Sequence, residues 1–371
     1  MRHTNPISAT LAGIRDQFRP SGEQVGALTG QDRLDGQTAL VTGANSGLGK
    51  AIAIRLAARG ARVLMACRNG IPEAGMEVRR AAAQRSIGTT PQVEMLRVDL
   101  SDLHSVDQLC DRLVERHERL DVVVLNAAVM PRQDRPSAQG LELMFAVNYL
   151  AHAAMLQRML ADGVIAQADH GDSTTEHNDS PDADHTDNTV KEGRPASKPR
   201  IIIVSSEAHR SAEPIDWDTL GQYTTYGTAT GMRQYAHTKM LLVMLAQHLA
   251  RTLAREDEVE VAVHALCPGA VNSNLAREAP LWAKPLLWPI MALLFRDPDA
   301  AADPALYLAC STDLEGKTGC YLHLMRAKTP APQTLDPDNG ARLWHATTAL
   351  IANHMGRQGE DHHHDDEDTI G

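Results

Sequence analysis

Short apolar runs alternate with longer stretches in which apolar residues return at helical spacing, and this alternation carries most of the chain. The runs at 38–42, 62–67, 92–98, 121–125, 200–204, 259–266 and 319–324 read as strands. The run at 121–125 is apolar at nearly every position, as a strand buried on both faces requires. The stretches at 51–59, 73–85, 102–119, 141–159, 232–251, 300–309 and 341–355 read as helices, the third of them capped near Ser101. Strands alternating with helices specify an α/β fold: a Rossmann-type, doubly wound parallel sheet with ligand chemistry at the strand C-termini.

Other stretches break the pattern. Residues 1–33 are polar and irregular, an N-terminal extension in which 7–18 would form at most a short helix before Pro20-Ser21-Gly22 stops it. Residues 163–199 are dominated by Asp, His, Ser and Thr, bury too little apolar surface to order themselves, and are expected to be a disordered insertion in a loop. The histidines there, His170, His177 and His185, are read as part of that polar loop, and no metal site is expected. Residues 270–298 are expected to form a substrate lid. Within it, 279–295 is apolar, with Trp282, Leu286, Leu287, Trp288, Leu293 and Leu294, but Pro280, Pro285 and Pro289 interrupt it. Such a stretch suits an apolar pocket, core packing, a docked partner or contact with a bilayer surface rather than a membrane span. A C-terminal helical segment at 326–358 and an acidic, His-containing tail at 359–371 follow the main domain at 34–325.

With 371 residues, 43% of them hydrophobic, the chain can bury one sizeable core. The net charge of -11 argues against a nucleic-acid partner. Five scattered cysteines without a CxxC pair read as reduced thiols of a cytoplasmic protein, no apolar leader follows Met1, and no apolar run is long enough to span a bilayer.

The chemistry gathers at strand ends. The first strand runs into Gly43-Ala44-Asn45-Ser46-Gly47-Leu48-Gly49-Lys50, and a helix follows. Strand, glycine-rich turn and helix place a phosphate on a helix N-terminus. The second strand ends at Arg68, with no acidic residue beside it, which suits a 2′-phosphate and favours NADP over NAD. Asp99, Asn126, Ser206 and Pro268-Gly269 also fall at strand ends, and Asn148 sits inside an apolar helix. Tyr235 and Lys239, four apart on one helix face, form a pair in which the ammonium favours the phenolate and should lower the tyrosine pKa.

Together these residues resemble the short-chain dehydrogenase/reductase family. They match its Thr-Gly-x-x-x-Gly-x-Gly at 42–49, a variant of its Asn-Ala-Gly turn at Asn126-Ala127-Ala128, its helix Asn at Asn148, its strand-end Ser at Ser206 and its Tyr-x-x-x-Lys at 235–239. The Pro-Gly turn is Pro268-Gly269, with Ser273 where a Thr is common. Within the family the chain looks most like the retinol-dehydrogenase and WW-domain-oxidoreductase-like branch. The cues are Thr-Gly-Ala-Asn-Ser-Gly-Leu-Gly-Lys, Ala-Cys-Arg-Asn, Val-Ser-Ser-Glu-Ala-His and Gly-Lys-Thr-Gly-Cys-Tyr.

The resemblance implies catalysis by Tyr235, Lys239, Ser206 and Asn148: Tyr235 as general acid/base, Lys239 tuning it and holding the nicotinamide ribose, Ser206 on the substrate oxygen, and Asn148 holding a water. It implies a cofactor site from Gly43, Asn45, Ser46, Gly47, Leu48, Gly49, Arg68, Asp99, Leu100, Asn126, Ala127, Tyr235, Lys239, Pro268, Gly269 and Val271. Ala128 departs from the family's glycine and adds a methyl group near the cofactor. The expected activity is NADP(H)-dependent interconversion of a carbonyl and an alcohol on a small apolar substrate. A homodimer and peripheral membrane contact through 279–295 are further expectations. The alternative is a cofactor-binding scaffold or sensor without turnover.

Overall fold

The structure, a computed structural model, describes residues 21–86, 88–131, 133–166, 198–255, 258–271 and 296–356. Seven of its strands lie parallel in one sheet: β1 (Thr38–Thr42), β2 (Arg62–Cys67), β3 (Gln92–Arg97), β4 (Val122–Leu125), β5 (Arg200–Val204), β6 (Ala262–Cys267) and β7 (Tyr321–His323). Their order is β3-β2-β1-β4-β5-β6-β7, so the strand order reverses direction beside β1. That reversal opens a crevice at the C-terminal ends of β1 and β4.

Successive side chains of a strand point to opposite faces, and each face here has its own core. Leu40, Leu64, Val123, Leu125, Ile201 and Ile203 pack into one cluster, whereas Ala39, Val41, Val63, Val122, Ile202 and Val204 pack into the other. The first is covered by α3 (Leu103–Glu115), α4 (Ala151–Ala161), α5 (Thr228–Thr252) and α7 (Pro337–Gly356). The second is covered by α1 (Gly47–Ala58), α2 (Glu73–Ala83) and α6 (Asp303–Cys310). This is the doubly wound parallel sheet that the alternation of apolar patterns predicts.

The structure departs from the sequence reading in several places. The helix expected at 141–159 is not one regular α-helix: Phe145–Leu150 form a π-type turn before α4, and the Ala151 N–H bonds back to the Ala146 carbonyl. Helix α3 is capped next to Ser101, by Asp102, whose side chain accepts the His104 N–H at 3.0 Å. Ser101 is drawn off instead by Asp99 Oδ1, to which its N–H and hydroxyl both donate, at 2.9 and 2.6 Å. Helix α7 starts earlier than expected, at Pro337, where a missing N–H costs no intrahelical bond. Glu258–Val259 pair with Ala254–Arg255 in a short hairpin and do not extend β6.

Part of the segment read as an N-terminal extension adds to the sheet. Glu23–Gln24 lie antiparallel to Arg326–Ala327, which in turn lie antiparallel to β7. The short helix at 7–18, most of the 163–199 insertion, the apolar stretch at 279–295, Ser273 and the tail at 359–371 lie outside the described residues. Among the described residues no helix is long and apolar enough to cross a membrane. All five cysteines are free.

Candidate active site

The turn after β1 is built around two glycines. Gly43 has φ +65°, a backbone conformation that a side chain resists. Gly49, inside the first turn of α1, has no room for a side chain: a Cβ there would lie 2.5 Å from the Gly43 carbonyl oxygen and would also collide with Asn126 Nδ2. Asn126 is held by the same strand end, its amide donating to the Thr42 carbonyl at 3.0 Å. The loop from Gly43 through Asn45, Ser46, Gly47 and Leu48 is therefore packed against the end of β4, where Asn126 and Ala127 sit. Ser46 caps α1 in an extended conformation (φ -157°) but makes no side-chain cap, and the first turn holds no acidic residue. Among the described residues the leading N–H groups of α1 thus have no side-chain acceptor, and an anion here would meet the positive end of the helix dipole. These residues fit the pyrophosphate of a dinucleotide.

At the end of β2, Arg68 is exposed over 62% of its side chain and lies 3.8 Å from Asp99 Oδ2, at the end of β3. Asn45 donates to Asn69 Oδ1 at 2.7 Å and ties the Gly loop to this edge. Leu100 is buried behind Asp99. Beyond β6, Pro268 and Gly269 form the turn, and Val271 bridges to Arg296 in parallel register. Apart from Tyr235 and Lys239, which are on α5, the cofactor-site residues expected from the sequence therefore lie at or just beyond a parallel-strand C-terminus, in the turn leading into α1, or in the first turn of α1.

Ser206, Tyr235, Lys239 and Asn148 come from β5, α5 and the π-type turn. Ser206, just past β5, accepts the Ala208 N–H at 3.2 Å and keeps its own hydroxyl hydrogen for another oxygen. It lies near enough to the Tyr235 phenol to favour its ionised form. Lys239, only 2% exposed, donates to the Val204 carbonyl at 3.0 Å, and its ammonium lies 5.6 Å from the centroid of the Tyr235 ring. Between them, Thr238 donates to the Tyr235 carbonyl at 2.9 Å and accepts from Asn148 Nδ2 at 3.2 Å. The Asn148 amide is otherwise committed to Val129, taking its N–H at 2.7 Å and donating to its carbonyl at 3.1 Å.

The expected lowering of the tyrosine pKa is not what this arrangement produces. Burial raises the Tyr235 phenol above its ordinary value, the Cys267 thiol adds to the rise, and the Ser206 hydrogen bond opposes it. Lys239 is itself pushed down to about 8 by burial. The reason is geometric. The ammonium sits over the ring and is engaged with a carbonyl of β5, while burial disfavours the charged form of each partner. Cys267, buried at the end of β6, is pushed up to about 12, first by burial.

Sequence reasoning passed over the groups behind the site. Glu207 follows Ser206 directly. It accepts from the Tyr321 hydroxyl at 2.8 Å and pairs with Arg210 at 3.0 Å and Lys328 at 3.3 Å. Burial alone would raise its carboxyl, yet Arg210, His323 and Lys328 outweigh burial and bring it to about 2. His209 is fully buried, donates Nδ1–H to the Ser206 carbonyl at 2.7 Å and accepts the Ala331 N–H at Nε2, at 3.1 Å. The adjacency of Ser206, Glu207 and His209 was the only signal in the sequence; the partners at 321–331 are more than a hundred residues away.

The profile of the short chain dehydrogenase family matches residues 37–171. Mouse retinol dehydrogenase 13 is 32% identical over 88% of this chain and 87% of its own length. Mouse retinol dehydrogenase 14 is 30% identical over 92% of each. A solved Mycobacterium paratuberculosis protein superposes with a TM-score of 0.60 at 22% identity, covering 88% of this chain and 98% of the other. A structure assigned as an NAD(P)-dependent gluconate 5-dehydrogenase from Beutenbergia cavernae, with NADP bound, gives 0.50 at 25% identity over 79% and 96%. Glycine loop, strand-end Ser, Tyr/Lys helix and these similarities agree, and the chain belongs to the short-chain dehydrogenase/reductase family as an NAD(P)-dependent oxidoreductase of its retinol-dehydrogenase-like branch.

Proposed function

We propose that the protein interconverts a carbonyl and an alcohol on a small apolar substrate, uses NADP(H) in preference to NAD(H), and moves the proton through Tyr235. The observation that carries this reading is the convergence of Ser206, Tyr235 and the buried Lys239 at the C-terminal end of β5. The names of the relatives, retinol dehydrogenases, fit an apolar alcohol or aldehyde.

A nicotinamide bound here supplies or accepts the hydride. The backbone of Gly43, Asn45, Ser46, Gly47, Leu48 and Gly49 would hold its pyrophosphate, Arg68 the 2′-phosphate, and Asp99 with Leu100 the adenine side. Asn126, Ala127, Pro268, Gly269 and Val271 would shape the remaining wall. Tyr235, held protonated by burial, gives its proton to the carbonyl oxygen during reduction. Lys239 stabilises the phenolate that this leaves, because an ammonium in a water-poor site acts strongly on a developing anion. Ser206 donates to the substrate oxygen and fixes its place relative to Tyr235. The Asn148 carbonyl holds a water through which Lys239 exchanges protons with solvent.

The test is a panel of apolar aldehydes and ketones with NADPH, followed by NADPH oxidation. Turnover of at least one of them is expected. Cofactor binding without turnover across the panel would overturn the reading and leave a cofactor-binding scaffold in its place.

A further inference from the structure

The Asn148 carbonyl, which the proposed mechanism uses, is already bound to something: the Nδ1 of His152, at 3.1 Å. The other ring nitrogen, Nε2, lies 3.1 Å from Thr42 Oγ1. Thr42 is the last residue of β1, and the phosphate loop starts directly after it. The imidazole is fully buried. A side chain on α4 therefore spans the gap between the catalytic π-type turn and the entrance of the cofactor loop, joining residues that lie 110 apart in the chain.

The surrounding hydrogen bonds decide where the proton sits. Thr42 Oγ1 accepts the Asn126 N–H at 2.9 Å and the Ala127 N–H at 3.0 Å. A hydroxyl has two acceptor sites and one donor. Both acceptor sites are taken, so the hydroxyl hydrogen is what remains for His152, and Nε2 must accept it. The ring hydrogen then lies on Nδ1 and points at the Asn148 carbonyl. Only a neutral ring with that tautomer satisfies all four contacts. Burial, which pushes this imidazole down to about 4, agrees with the neutral form.

We infer that His152 is a positioning residue that sets the Asn148 carbonyl and the entrance of the cofactor loop as one unit. The links form an unbroken path: Asn126 and Ala127 at the end of β4 to Thr42, Thr42 to His152, His152 to Asn148, and Asn148 to Thr238 between Tyr235 and Lys239. The π-type turn at 145–150 belongs to the same arrangement, since Asn148 lies within it and the ring of His152 follows four residues on. The His152 ring thus holds the Asn148 carbonyl from one side. The kinetic arm of this inference rests on the function proposed above; the tautomer and the cofactor-binding arms do not.

The test uses the full chain and two variants. In His152→Asn, the amide nitrogen takes the place of Nδ1, which keeps the bond to the Asn148 carbonyl and loses the acceptor for Thr42. In His152→Phe both links are lost. The expected result for His152→Asn is NADPH binding about tenfold weaker, as the loss of one buried partner implies. His152→Phe should show the same weakening and a kcat lower by tenfold or more. Nitrogen-15 spectra of the parent, with the His152 signals identified by their absence in the variants, should show an unprotonated Nε2 and a protonated Nδ1 from pH 5.5 to 8. Should His152→Phe fail to fold, His152→Asn and the spectrum still decide the matter. An Nε2-protonated or doubly protonated ring at pH 7 overturns the inference, and so does NADPH binding within twofold of the parent in His152→Asn. If the parent turns over no substrate, the proposed function fails while the spectrum and the binding arm still judge His152.

Discussion

Three histidines in the core make stability a function of pH. His152, His209 and His264 are all fully buried, and burial is the first cause that pushes them to about 4, 4 and 3, from an ordinary value of 6.5. The folded protein keeps these rings neutral; the unfolded chain does not. Below about 6.5 the unfolded state binds more protons, so the stability they confer is full above that pH and is lost as pH falls toward 4. Each ring contributes a slope of about 1.4 kcal/mol per pH unit inside that window. At pH 5 an unfolded imidazole is protonated about thirtyfold over its neutral form, which is about 2 kcal/mol per ring and about 6 kcal/mol for the three, as an upper figure. That is comparable to the whole stability of a typical domain, about 5–15 kcal/mol. Glu207 acts lower on the scale: with its carboxyl at about 2, its contribution is lost only as pH falls below the ordinary value of 4.5. The assay is urea unfolding from pH 8 to 5 for the parent and for His264→Leu. His264 is the ring to remove, because among the described residues its Nε2 has no hydrogen-bond partner and only the Cys320 N–H leans on Nδ1, at 3.3 Å. Since burial also lowers His237 and His248, the variant should lose at most about a third of the slope between pH 6.5 and 5. An unchanged slope in His264→Leu, or a parent as stable at pH 5 as at pH 7.5, would refute the reasoning.

Three further outcomes follow from the site. Because Lys239 titrates at about 8, kcat/KM for carbonyl reduction should fall as pH rises above about 8, when the ammonium that supports the Tyr235 phenolate is lost; a rate flat from pH 7 to 9.5 contradicts this. Gly49→Ala should lose about 1–3 kcal/mol of stability and most of its NADPH affinity, because the added Cβ meets the Gly43 carbonyl and the Asn126 amide; calorimetric binding and thermal unfolding check both. Arg68→Ala should lower the NADP-to-NAD affinity ratio about 10- to 100-fold, as loss of a charge-assisted phosphate contact implies, and an unchanged ratio removes the 2′-phosphate assignment.

The parallel sheet was legible because burial on both faces leaves a plain mark: 122–125 and 201–203 are apolar without interruption, and both ends of each strand coincide with polar turns. The Gly turn and the Tyr/Lys pair were legible because their spacings are local. The π-type turn was not, since all of 145–150 is buried and no exposed face betrays the change of period. The edge strand at 23–24 was hidden by its exposed polar residues, Glu23 and Gln24, whose pairing comes from backbone bonds to 326–327. The direction of the Tyr235 shift failed for a different reason. Spacing along a helix shows which groups are neighbours, but not how far they are from water or which atom of Lys239 faces which atom of Tyr235. The bridge through His152 joins residues far apart in the chain and is visible only when β1 and α4 are folded together.

The central claim is that Tyr235 passes the proton. The most direct measurement is NADPH oxidation by Tyr235→Phe, which leaves the ring in place and removes only the hydroxyl, with any substrate the parent reduces. The account predicts a kcat lower by about 10²–10⁴-fold with NADPH affinity retained. A Tyr235→Phe enzyme within threefold of the parent would contradict it.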